Sequence, residues 1–382
     1  MKQNAPGTEI TVHERNPKGA NPGWGVTYWP DTLELLEASD SDSARAIHER
    51  SECWQDGLAF VDGQAVEHPG GLGYAVGREQ LLDALTERAG SLGVDLRYGE
   101  EITAREQVGP ADLVIVADGI NSRIRGRYSD SFGTQTVAGS NRFLWLGTTR
   151  TFDNFSFAFS PTPSGWIWCY AYRFSGSHST CVVECSEQTW TGLGLDTAPS
   201  ADTLRLLEGL FASLLQGHEL ICREDGPDRR LPWQVFRTVT NQRWSHEDMV
   251  LMGDAAHSTH YSIGAGTALA FRDAIALAGH LRDGTGRDEA LSAYEKQRKA
   301  ELLPVQSAAR LSAKWYENVD RYLALPPHQM FALLGQRHSP LLPYVPPSWY
   351  YRLDHAISQS KALRSAKRWA GPRLGSLVQR RR

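Results

Sequence analysis

Cysteine is scarce: the 382 residues hold five, an odd number with no Cys-x-x-Cys pair. That excludes a disulfide framework and points to a reducing, cytoplasmic setting. Cys181 and Cys185 stand four apart in an apolar run of strand type, so they face one side as buried thiols. An excess of one charge is lacking too, since 40 basic against 44 acidic residues leave a net charge of −4. A general nucleic-acid binder is excluded on that balance. There is no run of about 18 apolar residues, so no membrane-spanning helix is expected. Met1–Pro6 is polar and lacks the apolar core of a secretory leader. No His, Cys and carboxylate set has metal-site spacing: His257 and His260 stand alone in a loop, so no metal is expected. With 41% apolar residues, the length suits one large or two closely packed soluble domains.

The stretch from Met249 to Leu281 organises what is present. Met249–Met252 is a short apolar run of buried-strand type, ended by Gly253-Asp254. A small-residue loop leads to Gly264-Ala265-Gly266. From Thr267 the period becomes helical, with Leu269, Ala270, Ala274, Leu277, Ala278 and Leu281 on one face. Glycines before a helix let backbone approach a ligand closely and aim unpaired N–H groups at it. Asp254 stands at the carboxyl end of the strand, where open α/β sheets bind ligands. The pattern is that of a cofactor site.

Gly253-Asp254-Ala255-Ala256-His257, then Gly264, Gly266 and Asp273-Ala274, resemble the second flavin-contacting motif of the class A FAD-dependent aromatic hydroxylases, which share the p-hydroxybenzoate hydroxylase fold. Tyr261 replaces the usual Pro beside the reacting flavin carbon. This variant is similar to the branch holding the violacein-pathway hydroxylase and the salicylyl-CoA and anthraniloyl-CoA hydroxylases. The resemblance implies that Asp254 bonds the FAD ribitol and that Gly264, Ala265 and Gly266 face the pyrimidine end of the flavin. Ala117-Asp118-Gly119, Ser122 and Arg125 match the family's other motif, near the FAD pyrophosphate. Val12-His-Glu14-Arg15 with Gly23-Trp-Gly-Val26 recurs in the same branch. It makes Glu14, an acid closing a strand, the holder of a ribose with Arg15 beside it; taken alone Glu14 reads as a surface acid. Arg78 matches the Arg that opens a family helix and contacts FAD, although taken alone it is a solvated first-turn Arg. The family's opening strand and Gly-x-Gly-x-x-Gly are not found. Gly71-Leu-Gly73-Tyr-Ala-Val-Gly77 has one residue too many, and Gly264-Ala-Gly266 lacks the third glycine. Either roughly twenty further residues precede Met1 in the complete protein, or this is a shortened relative.

Residues 141–184 read as short aromatic strands between Pro, Gly and Ser turns, hence an antiparallel sheet. Alternation puts Trp166, Trp168, Tyr170 and Tyr172 on one face and Ile167, Cys169 and Ala171 on the other. The aromatic face either lines a substrate pocket, giving Trp168, Tyr170, Tyr172 and the loop's Ser262 as substrate-binding candidates, or is ordinary packing. Arg78–Arg88 reads as a helix burying Leu81, Leu82 and Leu85, and Leu204–Leu215 as another. Leu231–Phe236 reads as a return strand into the central sheet. Pro304 divides Glu289–Leu303 from Val305–Tyr322 as two helices. The tail from 361 to 382 has eight basic residues and no acid, and reads as a frayed terminus.

The fold expected is α/β: a Rossmann-like FAD-binding domain without its first βα unit, an inserted antiparallel substrate sheet, and C-terminal helices. Its parts are residues 1–135 and 236–325 for FAD, 136–235 for the sheet, and 326–382 as an extension. The resemblance implies an NADPH- or NADH-consuming monooxygenase acting through a flavin C4a-hydroperoxide. Its substrate would be an aromatic or indolic ring, free or tethered to CoA or a carrier, with dioxygen as co-substrate. His260 and Tyr261 are the catalytic candidates, for positioning or proton transfer; His257 is expected to make a structural bond, and His260 is open between the two roles. The alternative is a silent relative that lost FAD and acts as a binding or scaffold protein.

Overall fold

The structure is a computed structural model that describes residues 1–3, 5–20, 23–68, 70–223, 230–282 and 286–359. The basic tail from 361 lies outside these. In chain order the first strands are β1 (Thr11–Glu14), β2 (Gly25–Tyr28), β3 (Ser51–Trp54), β4 (Gly57–Val61), β5 (Gln64–His68), β6 (Gly73–Gly77), β7 (Asp95–Tyr98) and β8 (Val114–Val116). After them come β9 (Thr134–Thr148), β10 (Phe155–Thr162), β11 (Gly165–Arg173), β12 (Ser179–Ser186), β13 (Leu220–Ile221), β14 (Gln234–Asn241), β15 (Ser245–His246) and β16 (Met249–Leu251). Five helices frame the site: α1 (Arg78–Ser91), α2 (Gly266–Arg282), α3 (Arg287–Glu317), α4 (Pro327–Gly335) and α5 (Pro347–Gln359).

The dinucleotide-type part contains two parallel pairings. β1 pairs with β7, and β16 pairs with β8, with β15 antiparallel on the other edge of β16. Among the described residues these form two separate sheets. A small antiparallel sheet, β2-β6-β3, lies between the sequence motifs that flank them.

The largest sheet has eight strands in the order β13-β9-β12-β11-β10-β4-β5, with β14 also on β9. Its middle is the aromatic antiparallel run expected from alternation. Trp168, Tyr170 and Tyr172 pack on one face with Trp315, Tyr316 and Phe331 of the C-terminal helices. Ile167, Cys169 and Ala171 pack on the other with Cys181, Cys185, Leu207, Phe211 and Leu214. Both cysteines of the four-apart pair are therefore buried on one side.

Four local expectations change. Residues 57–68, assigned in sequence to the FAD part, join the large sheet, because β4 pairs in parallel with β10. The return strand is β14, and it pairs with β9 rather than entering the parallel sheet. Leu82 is 42% exposed, and the buried side of α1 is Leu81 and Ala84. Pro304 does not divide its helix: α3 runs unbroken for 31 residues. Proline in a helix interior costs about 3 kcal/mol through a lost N–H bond and a ring clash. Here Tyr294 and Leu302 before it, and Ala309, Trp315 and Tyr316 after it, are all buried, which offsets that cost on both sides.

The sheet also requires a glycine where it meets the β2 region. A Cβ on Gly147 of β9 would lie 2.3 Å from the ring of the buried Trp24. Gly147→Ala should therefore destabilise by about 1–3 kcal/mol through overpacking, read as a lower urea midpoint with unchanged m-value.

Candidate functional site

β16 delivers the chain to Gly253, whose φ of +60° suits glycine, and a single 3-10 turn carries Asp254. The loop then runs past His257, His260, Tyr261 and Ser262 to Gly264, at φ +62°, and α2 begins at Gly266. A Cβ on Gly264 would meet Thr27 Oγ1 at 2.6 Å, so this turn is held against β2. Asp273 of α2 anchors the loop from below. It has no exposure, and accepts from Gly253 N at 2.9 Å, His257 Nε2 at 2.8 Å and Arg298 Nε of α3 at 2.7 Å. Burial alone would raise its pKa, but the His257 and Arg298 bonds reverse the sign and hold it below the ordinary carboxylate value. His257 is thus a structural ligand of Asp273, stacked on Trp244 at 5.0 Å.

Arg125 joins the two sequence motifs. Buried itself, it donates to the carbonyls of Ile120 at 2.6 Å and Gly119 at 3.5 Å in the first loop. In the second it donates to Asp254 at 3.4 Å and Ala255 at 3.1 Å. Ser122 caps the helix carrying Arg125 by accepting from its N–H at 3.0 Å. Asp118 accepts from Arg123 N at 3.0 Å, and Gly119 has φ +83°. Asp254 is exposed, yet desolvation by the surrounding protein raises its pKa, opposed by His257, Arg78 and Arg125 and reinforced by Asp273. Arg78, which opens α1 with its N–H on Trp24 O at 2.9 Å, therefore shares the field of Asp254. Glu14 closes β1 and accepts from Asn16 N at 2.7 Å, and Arg15 beside it is exposed.

A cavity of about 220 Å³ opens directly off the Tyr261–Gly264 loop. Tyr170, Tyr172, Phe155 and Phe157 of the large sheet wall it, with Trp54 of β3, Tyr316 of α3, and Phe331 and Leu334 of α4. Of the candidates for substrate contact, Tyr170, Tyr172 and Ser262 line it. Trp168 does not: it is buried behind the wall, stacked on Tyr316 at 5.8 Å. Tyr261 lines it, whereas His260 sits behind, its ring 4.3 Å from that of Tyr261 and its Nδ1 2.8 Å from Ser262 Oγ. Burial, then the neighbouring Arg337, push the His260 pKa down to about 3, so it is neutral near pH 7.

Two charged groups at this cavity gave no sequence signal. Arg337 donates Nη2 to Ser262 O at 2.8 Å, Nη1 to Leu334 O at 2.9 Å and Nε to Ser312 Oγ at 3.0 Å. Glu184 of β12 lies under the wall, 1% exposed, and Asn141 donates to its Oε1 at 2.8 Å. Burial raises its pKa to about 7, against the pull of the Asn141 bond. Its Oε2 and Trp168 Nε1 have no partner within direct hydrogen-bond reach. Phe155 and Phe157 were legible as strand aromatics; Phe331 comes from α4 and Arg337 from the turn after it, whose packing no local pattern reveals.

A model described as "FAD binding domain" matches residues 72–303, which is more than half of the chain. The chain belongs to the FAD-binding domain family. A salicyloyl-CoA 5-hydroxylase from a Streptomyces species is 36% identical over 333 residues, 85% of this chain and 63% of that protein. The chain thus spans less than two thirds of that relative. The 3-hydroxy-4-methyl-anthranilyl-(aryl-carrier protein) 5-monooxygenase of Streptosporangium sibiricum is 33% identical over 81% of this chain and 82% of that one. Protodeoxyviolaceinate monooxygenase of Chromobacterium violaceum is 26% identical over 94% and 95%. Among solved structures, P. aeruginosa PqsL in complex with 2-aminobenzoylacetate superposes with a TM-score of 0.65 at 18% identity, covering 88% of this chain and 95% of that one.

The residues present fit the FAD that defines the family. A carboxylate just past β16, positive-φ glycines at 253 and 264 and the N-terminus of a 17-residue helix follow one another along this loop. Arg78 and Arg125 supply positive charge beside Asp254, as a diphosphate-bearing ligand requires.

Two buried carboxyls make stability depend on pH. The depressed Asp273 pKa contributes stability that is present above the unfolded carboxylate pKa and lost as pH falls through the folded value. Asp273→Asn should cost about 3 kcal/mol by stranding Arg298, and should flatten the acid limb of a stability-versus-pH curve. Glu184 has the opposite sign: its raised pKa makes folding favourable below the unfolded value and less so as pH rises through about 7. Glu184→Gln should therefore gain on the order of 2–3 kcal/mol at pH 8.5 and nothing at pH 4, read by urea unfolding at both.

Proposed function

We propose that the protein is a flavin-dependent monooxygenase that hydroxylates an aromatic ring held in the 220 Å³ cavity, with NADPH or NADH as reductant. One observation carries this reading: the aromatic cavity is walled on one side by Tyr261–Gly264, the same loop whose other end presents Asp254. A ring in the cavity lies against whatever that loop holds. The relatives named for salicyloyl-CoA and for an anthranilyl carrier-protein substrate favour an aryl thioester.

Bound FAD would supply the reduction and the activation of dioxygen. The protein has three other tasks. Phe155, Phe157, Tyr170 and Trp54 hold a flat ring by stacking and exclude water from it. Tyr261 presents its hydroxyl, which burial and then Glu184 keep protonated well above the ordinary tyrosine range. It is a donor to a substrate oxygen or nitrogen. Glu184 lies behind it, and burial raises its pKa to about 7, toward the neutral acid. His260, neutral and bonded to Ser262, keeps the Tyr261 ring in place.

The test is visible absorbance of the protein loaded with FAD, followed by NAD(P)H oxidation with and without benzoyl- or salicyloyl-type acids and thioesters. The expected result is about one flavin per chain, stimulated oxidation, and a product heavier by one oxygen. Failure to hold flavin, or oxidation indifferent to every aromatic compound, overturns the reading. Phe157→Ala should raise KM for the ring about tenfold or more through lost stacking and a wetter cavity, with flavin content unchanged.

A further inference from the structure

Behind Arg337 lies a second cavity, of about 120 Å³, that holding the ring does not use. Its floor is the C-terminal end of α3 and the turn after it. Lys314, Asn318 and Arg321 stand at helical spacing and so share a face, over Trp315 and Tyr322. Arg337 closes the third side and also lines the aromatic cavity, so the two spaces share one guanidinium as a wall.

Three cations line this hollow and no carboxylate does. Among the described residues none of the three forms an ion pair. Arg321 is spent on carbonyls of the facing loop, Pro343 at 2.9 Å and Val345 at 3.4 Å, and these bonds hold it in place. Arg337 has five N–H groups, of which Ser262, Ser312 and Leu334 take three. One N–H on each terminal nitrogen remains to be taken by an oxyanion. Glu317 faces the other way, accepting from Ser140 N at 3.3 Å. Lys314 and Arg321 are exposed and Arg337 is part-buried, so an anion entering the hollow meets three cations and no carboxylate.

We propose that this hollow is a phosphate subsite for an aryl thioester, taking the phosphate of its pantetheine arm while the ring occupies the aromatic cavity. The proposal rests on the aromatic-monooxygenase reading for its ring and goes beyond it in assigning Lys314, Arg321 and Arg337 to the carrier arm. The chemistry is shared by CoA and by a protein-borne phosphopantetheine. Trp315, Tyr322 and Leu342 supply apolar surface for the arm's methyl and methylene groups, and Asn318 is an amide partner for its amides.

The experiment is calorimetric titration of the full protein with three benzoyl thioesters, of pantetheine, of 4′-phosphopantetheine and of CoA, at low and high salt. The two phosphorylated probes should bind about tenfold or more tighter than the pantetheine thioester, and the advantage should shrink with salt. Lys314→Ala/Arg321→Ala should erase the advantage and leave affinity for the pantetheine thioester as it was. Arg45→Ala/Arg205→Ala removes the same charge elsewhere and should keep it. Should the first pair melt early, Lys314→Gln/Arg321→Gln serves. Equal affinity for all three probes overturns the proposal, as does an advantage that survives in the Lys314/Arg321 variants. A tenfold preference for the phosphopantetheine over the CoA thioester assigns the site to a protein-borne arm, and the reverse assigns it to CoA. Binding is read without turnover. A protein that binds the phosphorylated probes but never oxidises NAD(P)H would thus sink the enzymatic reading and leave the subsite standing.

Discussion

The carboxylate of Asp273 is the constraint on which the site depends. A charge with no exposure is tolerable only when surrounding donors replace the lost water. Here a backbone N–H, an imidazole N–H and a guanidinium N–H do so, and each belongs to a different piece of chain: the end of β16, the loop after it, and α3. Satisfying one buried acid therefore fixes the start of the loop, its first turn and the helix packed behind it. Arg125 repeats the device from the other side, with four carbonyls from both motif loops as its partners. The far end of the loop can then present Tyr261 to one side and Gly264 to another without itself having regular structure.

The aromatic cavity shows how burial sets protonation with few catalytic side chains. Burial favours the neutral form of every titratable group. His260 is pushed toward neutral imidazole, Tyr261 toward neutral phenol, and Glu184 toward a neutral acid near pH 7. Among the described residues Arg337 is the one permanent cation on the cavity wall, bonded to carbonyls and a hydroxyl, and Asp56 is a carboxylate on the same wall. The space is an apolar, aromatic-walled slot with Arg337 and Asp56 among its lining residues.

Much of this was legible in order along the chain. The Gly253–His257 and Asp118–Arg125 segments announce themselves because a strand that ends in Asp or Gly before a helix is a local pattern. Alternation in β11 assigned Tyr170 and Tyr172 correctly to the face that lines the cavity. It placed Trp168 on that same face, as found, but period two says nothing of position along the strand, and Trp168 lies behind the cavity wall. Pro304 misled for a related reason: local propensity marks a break, and burial on both sides of the proline overrides it. Residues 57–68 carry no signal for the parallel pairing that draws them into the large sheet, because that pairing lies about 100 residues away in sequence.

By itself the sequence determined the residue types and turns of the cofactor motifs, the two faces of the aromatic sheet and the family to which both belong. Each of these rests on interactions within about a dozen residues, which spacing encodes directly. Only the tertiary structure decided which side chains meet: that His257 serves Asp273 while His260 braces Tyr261, that Glu184 lies under the cavity wall, and that Arg337 divides it from a basic hollow. Those relations depend on packing between distant segments, where burial sets the charge of each group, and no pattern local to the chain contains that information.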